Sequence, residues 1–354
     1  MKLLLLGMIV ICCGISSLCF AHTLNQDFAE PRTNVDECAE FMDVNLAMNE
    51  IKLKASNGGT SAYAKVILPG HDSPSGCYLP PNSSGIIDGE VTAYRVALLL
   101  GAGKTVQVAN LKAVQGAELA RMQKFMTDTV WSHAAQIKNQ KNIVSLIAED
   151  LKAGKPLFGA LKCWNRKPYD FDELLSPDHN GLKADAKETQ WIRSSLPQPT
   201  EASYAKTMET VSVISTEVAL AKELSTHFLI DAIMGQWDRF SGGNLQLMVA
   251  PGGVLHFGLF DNGGTWGDDK DVLHTLSFVT RFDRKVADTI LDLDQSICQK
   301  QEFHGATDQE LKEFLQMDQD FSGDNWDLLK HNITLTADHI RKVNAPDSQK
   351  YFVN

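Results

Sequence analysis

The chain has 354 residues and a formal net charge of −11, from 33 Lys and Arg against 44 Asp and Glu, and 44% of it is hydrophobic. The acidic surplus excludes a nucleic-acid footprint, which needs clustered Lys and Arg, while the apolar share is ample for a packed core. The length exceeds the usual ~100–200 residues of one domain, so two domains or one bilobal unit fits.

Lys2, the apolar run from Leu3 to Val10 and on through Ile15, and the small residues before Ala21 read as a secretory signal peptide, residues 1–21. The run falls short of the roughly 20 apolar residues of a spanning helix, and no later run qualifies. An exported chain without a stable membrane anchor is expected, in the periplasm, the extracellular space or a secretory lumen. Cys38, Cys77, Cys163 and Cys298 then remain. Four scattered cysteines allow two disulfides in three connectivities, and no C-x-x-C spacing suggests zinc.

From Asn45 to Leu68 the pattern is strand-like, with "IKLKA" and "SAYAKVIL" as the arms of a β-hairpin closing on Asn57, Gly58 and Gly59. "GEVTAYRVALLLGAG" spaces its apolar residues as a helix does, and its glycines stop it; the spacing predicts a helix over about 88–100. "KTVQVANLKAV" reads as a strand and 115–160 as mainly helical. A polar, proline-bearing stretch over 163–205 reads as an insertion between lobes. A long helical pattern through "METVSVISTEVALAKELSTHFLIDAIMG" leads into "QWDRFSGGN", and the short strands "NLQLMVA" and "GVLHFGLF" lead to "DNGG". The remainder reads as helical.

Transfer of a phosphoryl group from a nucleotide needs a cation on the phosphates, an acid that holds this cation, a carboxylate at the acceptor hydroxyl, and oxygen ligands for a divalent metal. Lys65, Glu90, Asp238, Asn244 and Asp261 supply these types in a workable order. Each alone has a plainer explanation: a solvated strand lysine, an acid favoured by a helix N-terminus, a surface Asp-Arg pair, an Asn-Gly turn.

Taken together, "NGGTSAYAKVIL", "GEVTAYRVALLLG", "MGQWDRF" and "LFDNGG" resemble the atypical kinases of the secretory pathway, the Golgi casein kinase and four-jointed group, which share a kinase-like fold with phosphoinositide kinases. The resemblance implies an α+β, bilobal protein-kinase-like fold. Residues 22–112 would form a β-rich N-lobe with one prominent helix, and 113–354 a mainly helical C-lobe. It implies ATP and Mg or Mn as cofactors: Lys65 on the phosphates, Glu90 positioning Lys65, Asp238 as catalytic carboxylate, and Asp261 and Asn244 on the metal. The partners would be the nucleotide and a hydroxyl-bearing acceptor such as a protein, including a host target if the source is bacterial, and no nucleic acid.

The chain departs from that group in three places. Asn244 follows Asp238 by six residues where kinases use five, Val66 stands where the group has Pro, and the stretch "DVNLAMNEIK" carries no glycine. These departures sustain a second reading, a non-catalytic kinase-fold module that binds or activates a partner, and a third, transfer of AMP or use of a lipid or sugar acceptor.

Three other motifs are weaker. "LLLGAGKT" lacks the glycine that a P-loop needs at position 98. "DQDFSGD" from Asp318 begins like a calcium loop but has Leu329 where a bidentate acid belongs. Asn82 and Asn332 fit the N-glycosylation pattern.

Overall fold

The computed structural model describes residues 24, 27–28, 38–56, 61–81, 87–164, 168–169, 217–240, 244–249, 255–299, 302–318, 325–343 and 350–352. The leader, the Asn57–Gly59 turn, Asn82, most of the 163–205 stretch and most of the calcium-like loop lie outside them.

The chain builds two β-layers joined through helices. Five antiparallel strands, β1 (Lys52–Ala55), β2 (Ala64–Ile67), β3 (Gly76–Leu79), β4 (Ala109–Val114) and β5 (Leu157–Cys163), form one sheet in the order β1-β2-β3-β5-β4. Helix α1 (Ile87–Leu99) separates β3 from β4, and α2 (Gly116–Asp128) and α3 (Ala134–Ala153) separate β4 from β5. The predicted boundary at 112 therefore falls inside β4, and β5 returns to the first sheet from beyond it. Alternation alone places residues within a strand and says nothing of which later strand comes back to pair with it.

Helix α4 (Glu217–Met234) is the centre of the second half. Its residues from Leu224 through Met234 are all buried, as expected of a helix with apolar residues on every side, and the polar ones among them, Ser225, Thr226, His227 and Asp231, are buried with the rest. It leads to a hairpin of β7 (Leu245–Val249) and β8 (Leu255–Leu259), which β6 (Pro168–Tyr169) extends to three strands. Helices α5 (Asp269–Leu276), α6 (Arg284–Gln299), α7 (Asp308–Phe314) and α8 (Asn325–Lys342) complete it. The architecture is bilobal and kinase-like, a β-rich part with one prominent helix and a mainly helical part. Among the described residues no helix is long and apolar enough to cross a membrane.

Three details position the site. Gly101 takes a left-handed φ of 71° and ends α1, with Ala102 N–H bonded back to the Ala97 carbonyl, so the P-loop-like glycines serve as a helix terminus. Cys38 and Cys163 form a disulfide that ties the turn at residues 38–42 to the end of β5; Cys77 is buried and free. Residues 105–107 pair with Leu259: Gln107 N–H donates to the Leu259 carbonyl at 3.1 Å and Leu259 N–H to the Thr105 carbonyl at 3.0 Å.

Asn332 does not suit a glycan. It lies within α8 and is 2% exposed.

Candidate active site

Helix α1 meets the "DNGG" loop edge-on. A Cβ on Gly89 would stand 2.1 Å from Thr265 Oγ1 and 3.1 Å from the Asn262 carbonyl, so only glycine permits this approach. The contact delivers the next residue, Glu90, to the loop: Asn262 N–H donates to Glu90 Oε2 at 2.9 Å. The other carboxylate oxygen, Oε1, accepts from Lys162 Nζ at 2.5 Å. Both side chains are buried.

Glu90 therefore pairs with Lys162 on β5, where the sequence reading expected Lys65. The register explains this. Lys65 faces Cys77, and Cys77 faces Lys162, so Lys65 and Lys162 share one face of the sheet, two strands apart. Lys162 is the nearer to α1, because the helix packs on the β5–β4 end of the sheet and β2 lies two strands away from β5. Lys65 Nζ instead sits 5.9 Å from the centre of the Trp164 ring.

Asp261 is exposed and close enough to Glu90 for the carboxyl groups to hydrogen-bond. Burial pushes the Glu90 carboxyl up, the Lys162 ammonium opposes this, and Asp261 adds to the rise. Burial disfavours the Lys162 ammonium, but Glu90 and Asp261 outweigh it and hold its pKa above the usual lysine value. With a 2.5 Å contact on one oxygen and a backbone N–H on the other, we assign the Glu90–Lys162 pair as ionised. Tyr63 lies within reach of the same charges, and burial pushes its hydroxyl up to about 12. Asp261 itself takes a left-handed φ of 47°, a conformation uncommon for any residue but glycine and concentrated at functional sites.

The Asp238 loop is fastened by the residue after it. Arg239 is 1% exposed and places all five of its N–H donors. Nε donates to Asp231 Oδ2 at 2.9 Å, and Nη2 to Asp231 Oδ1 at 2.9 Å and Asn262 Oδ1 at 2.6 Å. Nη1 donates to the carbonyls of Asn244 at 2.5 Å and Phe260 at 2.7 Å. One guanidinium thus joins α4, the Asp238 loop, the end of β8 and the "DNGG" loop. The plain reading of Asp238-Arg239 as a surface ion pair is overturned, since the true pair is buried and bidentate with Asp231.

Asn244 donates its amide to the Asp238 carbonyl at 2.8 Å. Gln236 Oε1 accepts from Asp238 N–H at 2.9 Å. Gly264 packs under the loop: a Cβ there would stand 2.6 Å from Asp238 Cβ. Asp238 is half-buried. The structure thus gathers Glu90, Asp261, Asn244 and the Asp238 loop at one junction, and sets Lys65 on the neighbouring sheet face. Sequence reasoning missed Lys162, Asp231, Gln236 and Asn262. A lysine inside the apolar run "LFGALKC" was the one available signal, since an uncompensated charge is rarely buried.

The donors suit a hard cation: the Asp261 carboxylate and the Asn244 amide oxygen as ligands, with the Glu90 carboxylate adding negative charge beside them. Among the described residues no three His, Cys, Asp or Glu side chains group to hold an ion by themselves, so the remaining positions would fall to phosphate oxygens and water, as is usual for Mg at nucleotide sites.

No family model matches the chain, and no curated protein sequence matches it. Solved structures do. It is similar to the crystal structure of the Golgi casein kinase with Mn/ADP bound, at a TM-score of 0.51 and 12% identity, covering 88% of this chain and 77% of that one. A second crystal structure of the Golgi casein kinase gives a TM-score of 0.52 at 12% identity, covering 87% and 76%. The likeness is one of fold, that of a bilobal atypical kinase.

Proposed function

We infer that the protein is an exported, metal-dependent kinase that transfers the γ-phosphate of ATP to a hydroxyl, with a protein as the acceptor. The observation that carries this reading is the meeting of Glu90 and Asp261 beside a buried lysine, with the Asp238 loop fastened by Arg239 to the same "DNGG" loop. A bound Mg or Mn ion would neutralise the phosphate oxygens and hold them in line for transfer. Asp261, with Asn244, would hold it, and Glu90, kept ionised by Lys162, would set the charge beside it. Lys65 would contact the phosphates. Asp238 would accept the proton as the acceptor oxygen bonds to the γ-phosphorus and the bond to ADP breaks. Arg239 would keep the Asp238 and Asp261 loops at fixed separation. The Cys38–Cys163 disulfide favours an oxidising compartment, and a secretory lumen is one that supplies ATP.

Incubation of the mature protein with labelled ATP and Mg²⁺ or Mn²⁺ should transfer phosphate, and Asp238→Ala and Asp261→Asn should abolish transfer. A well-folded wild type that is inert with every nucleotide and metal would sink the reading. The displacement of Lys65 from Glu90 favours a second reading, a kinase-fold module without catalysis. Lack of thermal stabilisation by any nucleotide would select it, because a ligand at 100 times its dissociation constant adds about 2.7 kcal/mol. Product masses would expose transfer of AMP.

A further inference from the structure

Residues directly opposite in antiparallel strands project from the same face. Lys54 lies opposite Lys65, Lys65 opposite Cys77 and Cys77 opposite Lys162. The sheet face toward Glu90 therefore carries three lysines in one row, from the edge strand inward. Lys52, opposite Ile67, stands two residues along the same face.

Lys162 is committed to Glu90. Lys65 is half-buried and Lys54 exposed, and among the described residues neither forms an ion pair with a carboxylate. Like charges directly opposite one another destabilise a strand pair. An edge lysine by itself protects against strand addition, but Lys52 beside Ile67 serves that end without repulsion. The Lys54–Lys65 pairing calls for an anion, and the charge of Lys65 is felt at Cys77, beside Lys162.

We propose that Lys54 and Lys65 form a two-ammonium cradle for the polyphosphate chain of the nucleotide, with Lys162 held out of it by Glu90. This rests on the kinase reading of the same site. Lys54 and Lys65 stand directly opposite on adjacent strands, which lie ~4.8 Å apart. The four-carbon stems of the two lysines can converge on neighbouring phosphates over such a span.

The test is binding of ATP, adenosine and inorganic tripolyphosphate, each with Mn²⁺, to the full chain and to Lys54→Gln and Lys52→Gln, followed by calorimetry. Lys54 is exposed, so its variant should fold. Lys54→Gln should weaken ATP and tripolyphosphate by about tenfold, the loss of one charge-assisted contact, and leave adenosine unchanged. ATP affinity within twofold of wild type, or an equal loss in Lys52→Gln, would overturn the cradle. Tripolyphosphate binding that Lys54→Gln loses, in a protein blind to adenosine, would uphold the cradle and refute the nucleotide. A wild type that binds none of the three would refute both.

Discussion

Replacing Arg239 by Met removes five hydrogen bonds and leaves the Asp231 carboxylate buried without its counter-charge. Breaking a buried pair from one side costs about 3–5 kcal/mol, because the stranded charge keeps its desolvation penalty; the uncovered carbonyls of Asn244 and Phe260 put this variant toward the upper end. The cost should depend on pH. Burial already raises Asp231 above the usual carboxylate value against the pull of Arg239, and without the guanidinium it rises further. A carboxyl whose folded pKa exceeds its unfolded value loses stability as pH climbs from the unfolded pKa to the folded one. Up to the folded pKa of Asp231 in wild type the group costs both proteins alike, so the gap between wild type and Arg239→Met should widen as pH climbs past that point, by up to ~1.4 kcal/mol per unit. Urea melts from pH 5 to pH 8 measure this. A gap under about 1 kcal/mol at pH 7.5, or one that stays level across the range, would refute the assignment of Arg239 as the clamp between the two loops; the threshold is well under the cost of a broken buried pair.

Lys162→Met should destabilise the protein by about 3–5 kcal/mol, and Mn²⁺ should restore more stability to this variant than to wild type, since a cation beside Glu90 and Asp261 replaces the missing charge; melts with and without Mn²⁺ decide. Gly264→Ala should push its methyl into Asp238 and Gln236, costing about 1–3 kcal/mol and cutting phosphate transfer at saturating ATP. Cys38→Ser should lower stability by about 4–5 kcal/mol, the loop closed by the disulfide being 125 residues. Its urea midpoint should also become indifferent to reductant, unlike that of wild type.

The hairpin strands and the helix that carries Glu90 were legible in the sequence because each is a local pattern. The period of "GEVTAYRVALLL" and its glycine stop placed α1 to within one residue at each end. The partner of Glu90 was not legible. Lys162 stands 72 residues away, and only the return of β5 beside β3 puts it under α1. Arg239 was misjudged for a related reason: its neighbour Asp238 is the obvious partner along the chain, whereas the end of α4 turns the guanidinium back on Asp231, eight residues earlier. Charge pairs are set by topology, and a strand order is not written in any single strand.

The clasp between residues 105–107 and Leu259 lies two residues before Asp261. It is a backbone stitch from the first sheet's connection to the hairpin. On the other side of Asp261, Asn262 N–H is tied to Glu90 on α1. Asp261, with its left-handed φ, is thus bracketed by two anchored residues, Leu259 and Asn262, three positions apart. A shift of either anchor would be felt directly at its carboxylate, so the position of that group reports on the helix and on the sheet connection together.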